Sequence, residues 1–318
     1  MPAPAESIAV VESLALVAPR LRVMYLPTPK AACTTIKTLL ATAEGTHQPA
    51  MADRLAVMHV SRAQTIHHPQ VHGLTRLSEL SPRERQAVLT SPDWLRVASI
   101  RDPIARAYSA WENRIFMRAH RRSAELIELA HDVHTNGSID LAASFAHFAK
   151  ALGEHADVFM SDHHFRSQTS LVHPAVVDYG RLVRVDQPGE IDALARLLSE
   201  RSGKQLTATR LNEGLGVKVD RVCDVHTANR LMATYATDYE TFGFAQRSWS
   251  TSVEPLLLGE TETRLLMHYR NLFERSISVA QESQRRIGAR YGFGQMTRGF
   301  LRAVRGEHGP RGPREVQP

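Results

Sequence analysis

Twice in this chain a short apolar run breaks off into a loop that feeds directly into a helical pattern. Residues 21–26 (LRVMYL) lead into Pro27-Thr28-Pro29-Lys30-Ala31-Ala32-Cys33-Thr34-Thr35, after which Ile36, Leu39, Leu40 and Ala43 recur at helical spacing. Gly45 is placed to cap that helix. Residues 95–100 (LRVASI) lead into Arg101-Asp102-Pro103, with Asp102 suited to the N-cap and Pro103 to the first helical position, and the helix runs on through Ala105, Tyr108 and Trp111. A third short strand is expected over 182–185 with a helix over 188–200. Strands alternating with helices belong in a parallel sheet. The expected fold class is therefore α/β: a P-loop-like parallel sheet flanked by helices, with a C-terminal helical extension.

The rest of the chain is less patterned. Residues 46–93 read as irregular around a short helix at 82–89, and hold five histidines between His47 and His72. Residues 119–160 read as mostly helical, and another helix is expected over 219–239. From 254 to 287 a long amphipathic helix places Leu257, Leu265, Leu266, Tyr269, Leu272 and Phe273 on or near one face; packing onto the domain explains it better than self-association or membrane contact, because Arg264, Arg270 and Glu274 share that face. After Gly306 the composition is that of disorder. A chain of 318 residues that is 43% apolar and 23% charged has a real core and room for one large domain with appendages. Two cysteines, Cys33 and Cys223, make no disulfide framework. No apolar run is long enough to span a membrane. The apolar stretch 8–18 carries Glu12 and lacks a preceding basic segment, so no signal peptide is expected, and a cytoplasmic location is.

Both loops have the makings of anion sites. A loop between a strand end and a helix N-terminus presents unpaired backbone N–H groups and the positive end of the helix dipole. In the first, Lys30 adds a charge, Thr34 and Thr35 add hydroxyls, and the small Ala31 and Ala32 let a ligand approach. The pattern GxxxxGK[ST] is absent, which disfavours an ordinary ATPase or GTPase loop, and no arginine stands where a tyrosine phosphatase would need one after Cys33. In the second loop Arg101 ends a buried strand, where open α/β sheets bind ligands, and Ser109 follows about two helical turns later. Arg101 suits a second phosphate as a charged fork and Ser109 as a hydroxyl donor. Arg106 reads as paired with an acidic side chain rather than with ligand.

Together the two motifs, PxPKxxxTT and RDPxxRxxS, resemble the PAPS-dependent sulfotransferases, most closely the carbohydrate sulfotransferase (sulfotransferase family 2) type with its PKxACTT and RDPFxRxxSxY. The resemblance implies that Pro29, Lys30, Ala31, Ala32, Cys33, Thr34 and Thr35 hold the 5′-phosphosulfate of PAPS, and that Arg101 and Ser109 hold the 3′-phosphate. Cys33 counts there as a small residue presenting its backbone N–H. Fainter echoes follow. Residues 162–169 (DHHFRSQT) resemble the family's HWxPQ segment and 178–182 (DYGRL) its YDxIGxxE segment, with Val185 or Asp186 in place of the usual glutamate. Residues 235–243 (YATDYETFG) resemble its closing YxxDxxxFGY helix. A sulfotransferase domain over 20–245, a helical extension over 246–305 and a disordered tail over 306–318 follow from that reading.

The implied activity is transfer of a sulfuryl group from PAPS to a hydroxyl of a carbohydrate or glycolipid, with PAPS as co-substrate and no metal. Lys30 meets the charge that develops on the leaving phosphate. A general base takes the acceptor proton; the favoured candidate is His59, in a segment comparable to one that carries a catalytic histidine in the uronyl 2-O-sulfotransferases. His163, His164 and Arg166 are expected on the acceptor side, the two histidines also standing as alternatives for the base. His68 and His72 lack an evident third ligand for zinc. Two other classes compete: a kinase-like enzyme with a degenerate phosphate loop, for which Asp102 is the sole nearby carboxylate, and a nucleic-acid-binding protein, suggested by a net charge of +6 but not by any module. The animal relatives are membrane-anchored, so a bacterial origin is suggested; peripheral membrane contact stays open, and the oligomeric state and the acceptor's identity are not legible.

Overall fold

The computed structural model describes residues 4–56, 61–118, 124–209 and 214–287. Its eight strands are β1 (Leu16–Ala18), β2 (Val23–Leu26), β3 (Thr75–Arg76), β4 (Leu95–Ile100), β5 (His134–Thr135), β6 (Ser138–Asp140), β7 (Arg181–Arg184) and β8 (Leu257–Leu258). The main sheet runs β3-β1-β2-β4-β7. Its centre is parallel, with Leu26 opposite Ala98 and Ile100 opposite Arg184. The edge departs from the all-parallel expectation: β1 folds back on β2 as an antiparallel neighbour, and β3 pairs with β1 antiparallel.

Alternation explains why β2 and β4 read as unbroken apolar runs. Val23, Tyr25 and Val97 face helices Cys33–Glu44 and Glu190–Ser202 through Ile36, Leu40, Leu194 and Leu198. Met24, Leu26, Ala98 and Ile100 face the opposite layer, with Val11, Val88, Val172 and Phe242. Both faces are buried, and the polar side chains within β4 are paired: Ser99 with the Tyr25 hydroxyl at 3.0 Å and Arg96 with the Asp178 and Ser91 carbonyls. The predicted helix after the first strand ends on Gly45, whose N–H donates to Ala41. Asp102 caps helix Pro103–Trp111 by accepting from Ala105 at 2.8 Å.

Several boundaries and elements differ from expectation. The stretch 46–93 is not irregular: it folds into helices Pro49–Ala56, Pro69–His72 and Pro82–Thr90 with 3-10 turns between them. The stretch after 119 includes the hairpin β5–β6 before helix Leu141–Glu154. The helix expected over 219–239 is two, Val225–Thr234 and Ala236–Phe242, hinged at the buried Tyr235. The long C-terminal helix starts at Glu260, because β8 first pairs with β6. The tail after Gly306 lies outside the described residues.

A third core is helical and aromatic: Trp111, Phe116, Phe145, Phe148, Phe159 and Phe165 pack together, Phe145 stacked on Phe148 and the other ring pairs edge-on or tilted. Helix Glu260–Ile287 joins it through Leu266 and Arg270. Arg270 is buried, donating to the Phe116 carbonyl and to both oxygens of Asp132. Among the described residues no helix is long and apolar enough to cross a membrane. Arg270→Leu strands the Asp132 carboxylate away from water and is expected to lower the unfolding free energy by ~3–5 kcal/mol in urea titrations.

Candidate functional site

Parallel pairing of β2 with β4 puts the loop after each strand on the same edge of the sheet. In the first loop Thr28 is fully buried and Ala31 N–H turns back to its carbonyl. Lys30 has φ 65° and Ala32 φ 53°. Both lie in the left-handed region that a glycine-rich phosphate loop would give to glycine; a side chain there costs ~1–2 kcal/mol per residue. The return is geometric: left-handed residues turn successive backbone N–H groups toward one side of a loop. No side chain caps the helix that starts at Cys33, which leaves its first N–H groups for a ligand. Thr28 Oγ1 is buried without a hydrogen-bond partner.

The second loop is bound to the first. Arg101 Nη1 donates to the Lys30 carbonyl at 3.2 Å. Arg106, fully buried, donates to three carbonyls: Pro29 at 3.0 Å, Arg166 at 2.7 Å and His163 at 3.3 Å. The acidic partner expected for Arg106 is thus replaced by backbone oxygens. Gln168 fixes the backbone of Arg101 from both sides, accepting from its N–H at 2.9 Å and donating to its carbonyl at 2.8 Å. Asp238 in turn accepts from the N–H groups of Gln168 and Thr169, each at 2.8 Å. The faint sequence echoes at 162–169 and 235–243 are therefore the scaffold that holds Arg101, completed by the Tyr235 hydroxyl on the Phe165 carbonyl. Asp186 accepts from the Asp102 N–H.

Ser109 lies half-buried on the helix that Asp102 caps, and the neighbouring Tyr108 hydroxyl is buried without a partner. The two threonines are already engaged: Thr35 Oγ1 donates to the Thr209 carbonyl, and Thr34 Oγ1 meets His67 Nε2 at 3.3 Å. Lys37 Nζ donates to His67 Nδ1, so Nε2 carries the proton and Thr34 accepts it. Sequence reasoning passed over His67 and Thr209, since neither belongs to a spacing pattern.

Positive charge converges here. Burial lowers the Lys30 pKa, the Cys33 thiol opposes that, and Arg114, followed by Arg101, adds to it; the ammonium is left at about 8. Arg101 is likewise pushed down by burial. Glu112 is the carboxylate that answers them. Burial raises its pKa, while the Leu215 N–H, 2.7 Å from Oε1, and the charges of Lys30 and Arg101 pull it back. Gly214 lies so close that a Cβ there would sit 1.8 Å from Oε2. Glu112 and Arg114 occupy a single π-helical turn, Glu112–Phe116, and were not singled out from sequence; Glu112 stands one helical step beyond Ser109, the one hint available.

Of the expected acceptor-side residues, His164 sits against Asp162, whereas His163 and Arg166 are exposed, Arg166 turning its Nε back to the Met160 carbonyl. His59 lies outside the described residues. His72 is buried and its Nδ1 accepts the Leu74 N–H. Asp162, His163 and His164 bring three possible ligand atoms within 4.8 Å of one another. The Asp162 carboxylate is already taken by Arg114 and His164, which leaves a metal no free oxygen to displace cheaply.

What the arrangement can do is bind a multiply charged anion between two cradles. Because Lys30 gives up its proton at about 8, affinity for sulfate, whose own charge is constant over this range, is expected to fall as pH rises from 7 to 9. Calorimetry across that range should show the fall in the parent protein and a flat profile in Lys30→Met.

The model of the family described as "Sulfotransferase family" matches residues 13–245. No curated protein and no solved structure matches the chain.

Proposed function

The chain belongs to the sulfotransferase family, and from that premise we propose that it moves a sulfuryl group from PAPS to a hydroxyl of a carbohydrate or glycolipid. The 5′-phosphosulfate sits in the turn 29–35, on the N–H groups that Lys30 and Ala32 orient and beside the Lys30 ammonium. The 3′-phosphate sits with Arg101 and Ser109. The observation that carries this reading is the 3.2 Å bond from Arg101 to the Lys30 carbonyl. It holds the two cradles side by side, as one adenylate with a phosphate at each end requires.

Little covalent work then falls to the protein. As the bond between sulfur and the bridging oxygen breaks, negative charge moves onto the 5′-phosphate. Lys30 and the helix amides already face that position, so no reorganisation is needed when the charge arrives. Positioning of the acceptor oxygen in line with the leaving oxygen supplies the rest. No step calls for a metal, because lysine and amide dipoles provide the positive field.

Incubation with labelled PAPS and a panel of glycans and glycolipids, read by mass shift, should yield a sulfated product. Lys30→Ala should abolish transfer. Arg101→Ala should weaken binding of adenosine 3′,5′-bisphosphate by about 10–100-fold, as loss of a charge-assisted contact does. If both variants bound the bisphosphate as the parent does, the donor site would be elsewhere; tighter binding of ATP with Mg²⁺ would favour a kinase.

A further inference from the structure

Sulfuryl transfer leaves one proton to be moved, and the assignment of its acceptor rests on the function proposed above. We propose that His164 is the general base, with Asp162 and Arg114 as the residues that position it.

The geometry begins with the carboxylate. Asp162 Oδ2 accepts from Arg114 Nε at 3.1 Å and Nη2 at 2.9 Å. Oδ1 accepts from the His164 backbone N–H at 2.9 Å and from its ring at 2.7 Å through Nδ1. A carboxylate held by an arginine and two N–H groups is ionised. Burial opposes that, but the hydrogen bonds from His164 and the charge of Arg114 outweigh it and hold Asp162 below its ordinary range. An ionised acceptor at Nδ1 forces the ring to donate there, which leaves the Nε2 lone pair for a substrate proton. Among the described residues Nε2 has no hydrogen-bond partner, and it is not among the buried unpartnered atoms.

The dyad stands beside the donor cradle. Arg106 bonds both the Pro29 and the His163 carbonyls, so one guanidinium joins the residue before Lys30 to the residue before His164. Burial, with Arg114 and Lys30 as the cations facing the ring, keeps the imidazole neutral, and the bond to Asp162 pulls the other way. A donor carrying several negative charges cancels much of that positive field. The ring therefore becomes a stronger base once the donor is bound.

The step balances as follows. The acceptor O–H bond breaks and its proton goes to His164 Nε2. The acceptor oxygen forms the new bond to sulfur as the bond from sulfur to the bridging oxygen breaks. That bond's electron pair leaves on the 5′-phosphate facing Lys30, and the imidazolium stays paired with Asp162.

The decisive comparison is His164→Asn against His59→Ala, using the sulfated acceptor found in the panel. His164→Asn should lower kcat by about 10²–10⁴-fold with the acceptor KM and the affinity for adenosine 3′,5′-bisphosphate unchanged. Asp162→Asn should lower kcat less and move the acid limb of the kcat–pH profile, which a merely structural contact would not do. Histidine-selective ¹⁵N NMR on the parent protein gives a reading independent of turnover: His164 should carry its proton on Nδ1, with an unprotonated Nε2. Parent-like kcat in His164→Asn, a loss confined to KM, or a His164 ring protonated at Nε2 each overturns the assignment, as does a loss of that size in His59→Ala alone. Failure of the sulfotransfer reading looks different: the parent neither binds the bisphosphate nor transfers label.

Discussion

A buried guanidinium needs five hydrogen-bond acceptors or an anion, and Arg106 finds backbone carbonyls instead of an acid. Those carbonyls belong to the turn after β2 and to the segment before Gln168, which are far apart in sequence. No carboxylate accepts from Arg106 directly, although Asp238 offsets its charge from nearby, and the field of Arg106 adds to that of Arg101 at the edge of the sheet. An arginine bonded to a carboxylate would have held the same segments together but cancelled its own charge. The choice of neutral acceptors thus serves the fold and the anion site at once.

The first loop is strained, and the strain has an address. Lys30 and Ala32 sit in left-handed backbone that their side chains disfavour, Thr28 Oγ1 and the Tyr108 hydroxyl lack partners, and burial and neighbouring charges weaken the hold of Lys30 on its proton. Glu112 moderates the excess charge from the π-helical turn, and its contact with Gly214 and Leu215 draws that loop toward the site.

The segment beyond the family match is joined to the rest by ordinary means. β8 extends the small sheet at β6, and helix Glu260–Ile287 buries Leu266 and Arg270 against the aromatic core while Leu265 and Leu272 stay exposed. Arg270 reaches the Phe116 carbonyl at the end of the turn that carries Glu112 and Arg114. The same turn therefore meets Lys30 and Arg101 on one side and the C-terminal helix on the other.

Sequence alone located the strand expected over 21–26, which begins two residues later at Val23, the strand Leu95–Ile100, the helices that follow them, and the Asp102 and Gly45 caps. Those features rest on local physics: apolar runs buried on both faces, a short polar side chain at a helix start, a glycine where φ must be positive. The antiparallel partners β1, β3, β5 and β8 were invisible because strands of two or three residues carry no periodicity. Only the tertiary structure decided what the buried polar groups touch. A carbonyl accepts as well from any donor whatever its residue type, so no pattern of letters announces that Arg106 holds Pro29 or that Gln168 holds Arg101. The Arg114–Asp162–His164 chain was equally hidden, because its arginine and its carboxylate lie on separate elements that only the packing of the aromatic core brings within reach.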